Sequence, residues 1–239
     1  MGEFIQQLKE NLVFFLTCAA IAGGLFLCAK LAEKWLSSTR SVSKARKISI
    51  IAVCSAIATV LHILDFPLPF LVPGFYKLDF SELPVMLCGF YLGPASAVAC
   101  EAVKILLKLL LQGTSTAFVG DFANFAVGCS MVLPAVIIYH MGKSRKSAIG
   151  GLITGTLVMT VFGSAFNAIY LLPKFSQLFG LPLDAIVAMG NKINSGISSV
   201  STLVLLGVAP LNLIKGTAVS LLTLLLYKRI ARPLFGLRK

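Results

Sequence analysis

Apolar residues in this chain come in long blocks separated by short polar breaks, and six blocks are long enough to cross a bilayer: Asn11 to Ala29, Ile48 to Leu64, Pro94 to Gln112, Phe118 to Met141, Ala148 to Leu172 and Ala209 to Tyr227. A hydrocarbon core about 30 Å thick needs roughly 20 mostly apolar helical residues, since a helix rises about 1.5 Å per residue. Backbone donors and acceptors find no water in lipid, so these blocks are predicted to be helices. The block after Pro84, VMLCGFYLG before Pro94, is shorter and predicts an abbreviated helix paired with the next one. Two apolar regions do not read as simple spans. The segment Asp65 to Leu83 contains Pro67, Pro69, Pro73 and Gly74 and cannot continue a helix, yet it carries Phe66, Phe70, Phe75, Tyr76 and Phe80. It reads either as an aromatic belt at the interface or as a lid over a site. The stretch Pro173 to Val208 ends in SSVSTLVLLGV, too short to span, and is read as interfacial or re-entrant. Pro210 then suits the first turn of a last helix starting near Ala209.

Composition agrees with this pattern: 57% of the 239 residues are hydrophobic and 13% charged, unlike a soluble domain. The expected architecture is therefore an all-α polytopic membrane protein, with a six-helix core preceded by an extra N-terminal transmembrane helix. Its expected divisions are a signal-anchor-like helix (1–36), a basic linker (37–47) and a six-helix domain (48–239). The net charge of +12 would suggest nucleic acid in a soluble protein, but its placement points to topology and to no nucleic-acid partner. Lys34, Arg40, Lys44, Arg46 and Lys47, then Lys143, Arg145 and Lys146, then Lys228, Arg229, Arg232, Arg238 and Lys239 hold 13 of the 21 basic residues. The positive-inside rule places these clusters in the cytoplasm of a plasma-membrane protein, with the N-terminus outside and the C-terminus inside. The six cysteines lie in apolar stretches with no metal-ligand spacing, so neither a metal nor a disulfide framework is expected.

Polar residues inside apolar spans carry a functional expectation because they are costly there. Asn212 and Lys215 share a face of the last helix, Asn167 lies near one end of the helix before it, Glu101 and Lys104 form an i, i+3 pair, and Asp121 and Asn124 open the fourth core helix. Asn167, Asn212, Lys215 and the aromatic loop map to one end, which predicts a pocket for a neutral heteroaromatic ligand. Amide groups match a ring edge of alternating donors and acceptors, and aromatic side chains cover its faces. The competing readings are a snorkelling Lys215, asparagines that bond between helices, and a Glu101–Lys104 pair that only fixes packing. No G-x-x-x-x-G-K-[ST], H-E-x-x-H or nucleophile elbow is present, so the chain is not expected to be an enzyme or to hydrolyse ATP itself.

SAIATVL, FPLPFLVPGFYKLDFSELP, FVGDFANFAVG, FNAIYLLP and APLNLIKG resemble the substrate-specific S components of energy-coupling factor (ECF) vitamin transporters, and within them the riboflavin-specific group, over about Lys47 to Leu234. The resemblance implies a six-helix membrane bundle that binds riboflavin near its extracellular side under the first loop, with no cofactor. It also implies a transmembrane coupling protein (the T component) and two ATPase subunits as partners. Carried over by motif, Asn167, Asn212 and Lys215 become polar ligand contacts, joined by Leu78, Asp79, Gly120 and Asn124. Phe70, Phe75, Tyr76, Lys77 and Phe80 become the lid, and Ala52 and Ala56 become the small-residue face that docks on the coupling protein. The N-terminal helix departs from the family's pattern. Alternatives are an S component for another vitamin, or an ion-coupled secondary transporter using Glu101 and Lys104, although no internal repeat of that class is visible.

Overall fold

The computed structural model describes residues 2–36 and 42–235, with side chains described for 16–36 and 42–227. Its helices run α1 (Gly2–Trp35), α2 (Lys44–Ile63), α3 (Glu82–Leu92), α4 (Pro94–Gln112), α5 (Val119–Gly142), α6 (Arg145–Phe166), α7 (Leu172–Phe179), α8 (Leu183–Asn191), α9 (Val200–Leu203) and α10 (Ala209–Phe235). Between α2 and α3 lies a two-residue antiparallel pairing of β1 (Phe66–Pro67) with β2 (Lys77–Leu78). Local chemistry sets the boundaries. The Ser43 hydroxyl accepts from the Arg46 N–H to cap α2. Gly93, at φ 106°, separates α3 from α4, and Pro94 opens α4 where its missing N–H goes unneeded. Ser144 and Ser147 form a reciprocal capping box on α6.

Five helical stretches among the described residues are long and apolar enough to cross a membrane: Leu16–Trp35, Lys44–Ile63, Val119–Gly142, Arg145–Phe179 and Val200–Tyr227. α4 has 19 residues but carries Glu101, Lys104 and Lys108, and it lies in the centre, packed on α1, α2, α3 and α5. The helix pair α5 and α6 approaches closely because Gly151 and Gly155 lack side chains. A Cβ there would lie 2.5 Å from the Ala135 carbonyl oxygen and 2.4 Å from that of Met131.

Three boundaries differ from the sequence-based expectation. Residues 200–208 are not a separate re-entrant piece: α9 continues through a π-helical turn, Val204–Val208, directly into α10. The preceding span likewise runs past Leu172, because a π turn at Asn167–Leu171 links α6 to α7 before Gly180 stops the helix at φ 62°. Each wide turn absorbs one extra residue without breaking the helix. Lys44, Arg46 and Lys47, assigned to a linker, form the first turn of α2, while linker positions 37–41 lie outside the described residues. α1 seats Ala29, with Ala22 and Leu25, on the α4–α5 flank against Ala95, Val98, Ile105 and Phe125.

Candidate functional site

At the end of the bundle away from the basic loops, the 64–81 loop closes over a cavity of about 330 Å³, within the range of small-molecule sites. The loop is split by side-chain character. Val72 and Leu78 bury with Leu211, flanked by Leu68, Leu71, Tyr76 and Phe80. Val72 reaches the wall at Gly207, where a Cβ would lie 3.2 Å from Val72 Cγ1. Phe70 points away and is 73% exposed, as an interfacial aromatic would. Phe75 and Tyr76 turn inward to the cavity wall, and Phe75 meets Phe175 of α7 edge to face at 6.3 Å. Both readings of the loop are therefore partly realised: Phe70 faces out, while Phe75 and Tyr76 wall the cavity.

Of the residues singled out by sequence, Asn167, Asn212, Lys215, Asp79, Gly120, Asn124, Phe75, Tyr76 and Lys77 line this cavity. Leu78, Phe70 and Phe80 do not: Leu78 is buried beneath the loop, Phe80 packs toward the bundle core, and Phe70 faces outward. Ala52 and Ala56 are exposed on α2 and belong neither to the cavity wall nor to the buried core cluster.

The two asparagines differ in how they are used. Asn167 is satisfied: the Tyr76 hydroxyl donates to its Oδ1 (2.9 Å), and its Nδ2 donates to the Gly163 carbonyl one turn earlier (2.8 Å). It bonds within its own helix and to the loop, rather than to another spanning helix. Asn212 keeps its Nδ2 buried with no hydrogen-bond partner among the described residues. That amide lies against Gly163, where an added Cβ would come within 2.8 Å of Nδ2. Because Asn212 lines the cavity, this donor is available to an acceptor placed there.

Lys215 does not snorkel. Its ammonium lies inside, 3.0 Å from Asp79 Oδ2 and 3.0 Å from Glu82 Oε2. Asp79 also accepts from the Ser81 N–H (2.8 Å) and faces His62 Nδ1 at 3.5 Å. Burial alone would push the Asp79 carboxyl up, but Lys215 and His62 outweigh it and hold it well below the usual carboxylate range. The expected Glu101–Lys104 pair is present and fully buried, and Lys104 also lies 3.5 Å from Glu82.

Sequence reasoning passed over several wall residues, among them His62, Gln112, Thr116 and Phe175. Lys108 pairs with Asp121 (2.7 Å), whose other oxygen accepts from the Thr114 hydroxyl (2.6 Å), and this folds the 113–118 turn beside the cavity. His62 sits in the last turn of α2, three residues before Asp65, a position legible from sequence that puts it at the same end as the loop. Among the described residues no group of three or more His, Cys, Asp or Glu could hold a metal ion.

Comparison with known proteins agrees with this geometry. Residues 46–227 match the family described as "ECF transporter, substrate-specific component". The chain is 38% identical over 191 residues to the riboflavin transporter RibU of Staphylococcus aureus, covering 80% of this chain and 93% of the relative. It is 31% identical over 188 residues to the riboflavin transporter FmnP of Bacillus subtilis, covering 78% and 93% respectively. A solved structure described as "Structure and mechanism of the S component of a bacterial ECF transporter" aligns with a TM-score of 0.63 at 37% identity, covering 82% of this chain and 100% of that one.

Proposed function

This chain belongs to the substrate-specific components of ECF transporters, and from that premise we propose that it captures riboflavin in the cavity under the 64–81 loop and delivers it inward. One observation carries the reading: Asn124 from α5 and Asn212 and Lys215 from α10 meet in one cavity beneath an aromatic loop. The relatives named as riboflavin transporters support the choice of ligand. Asn212 and Lys215 hydrogen-bond the polar edge of the flavin, Asn167 and Asp79 hold the loop, and Phe75, Tyr76 and Phe175 wall the ring system.

The protein is a transport subunit, not an enzyme, and its family pairs it with a transmembrane T component and ATPase subunits that supply the energy. Ala52 and Ala56 on the exposed face of α2 form the surface we assign to the T component, since small residues admit close helix approach. The basic loops and C-terminus lie in the cytoplasm, which puts the cavity on the extracellular side. Titration of the purified full chain with riboflavin tests the reading. Saturable quenching of flavin fluorescence is expected without any partner subunit, and a folded sample that quenches nothing overturns it.

A further inference from the structure

The ammonium at the cavity is held by Asp79 on the cavity wall and, from behind, by Glu82, which does not reach the cavity. Lys215 bonds Asp79 and Glu82, Glu82 Oε1 lies 3.5 Å from Lys104 Nζ, and Lys104 donates to Ser81 Oγ (3.0 Å) and pairs with Glu101. Charges thus alternate along Asp79, Lys215, Glu82, Lys104 and Glu101, from the base of the loop through α10 and α3 into α4. Glu82 is 2% exposed, Lys104 and Glu101 are fully buried, and none of the three is on the cavity wall. Room for the last carboxylate comes from α5, where a Cβ on Gly128 would lie 2.3 Å from Glu101 Oε1.

One carboxylate is enough to neutralise Lys215, and Asp79 supplies it. A second on the same ammonium adds a like charge beside Asp79, a cost that only Lys104 behind it offsets. What Glu82 adds is direction. A lysine ammonium has three donors on a flexible four-carbon stem, and two fixed acceptors leave the third with one orientation. Because Lys215 itself lines the cavity, that remaining N–H is the one a ligand meets.

We propose that Glu82 is a positioning residue for substrate: backed by Lys104 and Glu101, it orients the Lys215 ammonium and so sets the affinity for a ligand it does not touch. This rests on the reading of Lys215 as a riboflavin contact. A double-mutant cycle on the full chain tests it, using Glu82→Gln, Lys215→Met and the pair, with riboflavin Kd from fluorescence quenching and a thermal melt on each sample. Glu82→Gln leaves Asp79 with Lys215 and Glu101 with Lys104, so every lysine keeps a carboxylate and the fold is expected to survive. Each single variant is expected to weaken binding about tenfold, and the double variant no more than Lys215→Met alone. An unchanged Kd in Glu82→Gln, or losses that multiply in the double variant, overturns the positioning role while leaving the riboflavin site intact. An unchanged Kd in Lys215→Met overturns the underlying reading and the proposal with it. If Glu82→Gln does not fold, Glu101→Gln takes its place in the same cycle. It leaves Lys104 to draw Glu82 away from Lys215, and it is judged by the same coupling.

Discussion

Replacing Asn212 and Asn167 separately by leucine should produce opposite signatures, because the two amides are used differently before any ligand arrives. Asn212 Nδ2 has no hydrogen-bond partner among the described residues, so Asn212→Leu removes no bond within the protein from that donor and should leave the melting temperature unchanged or slightly raised. The loss falls on the complex, where a flavin acceptor goes unmet. At about 1–3 kcal/mol for such a group, and about 1.4 kcal/mol per decade, riboflavin should bind about fivefold to a hundredfold more weakly. Asn167→Leu instead breaks the bond from Tyr76 and the bond to Gly163 and strands the Tyr76 hydroxyl beneath the loop. Its cost of about 1–3 kcal/mol falls on the unliganded protein, and at about 2–4 °C per kcal/mol for a chain of this size the melting temperature should drop by several degrees. Melting curves and riboflavin titrations on the same detergent-purified samples separate the cases. If Asn212→Leu melts early and binds normally, the amide serves packing and the site assignment is wrong.

Two further outcomes are expected. Ala52→Leu with Ala56→Leu should leave flavin binding intact and abolish uptake in cells that carry the energising subunits, because the exposed face of α2 lies apart from the cavity; sustained uptake would move the docking surface elsewhere. Lys104→Met removes the counter-charge between Glu82 and Glu101, leaving Glu101 without its lysine and Glu82 with Lys215 as its one remaining lysine partner. A loss of about 3–5 kcal/mol should appear as poor expression or early melting, and a normal melt would contradict the account of the buried charge chain.

Much of the frame was legible in the chain because length and hydropathy report lipid contact directly. α4 was bounded at Pro94 and Gln112 by its proline and the following glycine, and it is observed with those limits. α5 fell within one residue at each end. The two π turns were not legible, since widening a helix by one residue changes neither composition nor hydropathy. The last span was accordingly begun at Ala209, nine residues after the helix starts at Val200. Asn167, Asn212 and Lys215 stood out as polar groups in apolar runs, and all three line the cavity. Glu82 did not, because its role depends on a lysine 133 residues away that no local pattern connects to it. His62 was hidden by the opposite problem: a lone histidine in an apolar helix looks structural until the loop carrying Asp79 is folded back beside it.

The seat of α1 bears on how the protein enters the bilayer during synthesis. α4 is the span least able to partition by itself, since a lysine at the centre of a lone helix opposes insertion by about 2.5–3.5 kcal/mol, and Lys104 sits mid-helix with Glu101 and Lys108 beside it. Its acidic partner Glu82 emerges just ahead of it, but Lys215 emerges more than a hundred residues later. α1 is translated first and ends in contact with the flank of α4, through Ala22, Leu25 and Ala29. The apolar flank that packs on α4 is thus a part of its final environment that precedes it in the chain, well ahead of the Lys215-bearing α10. None of the described side chains of the N-terminal helix, 16–35, lines the cavity wall, so what they contribute is the apolar packing of α4.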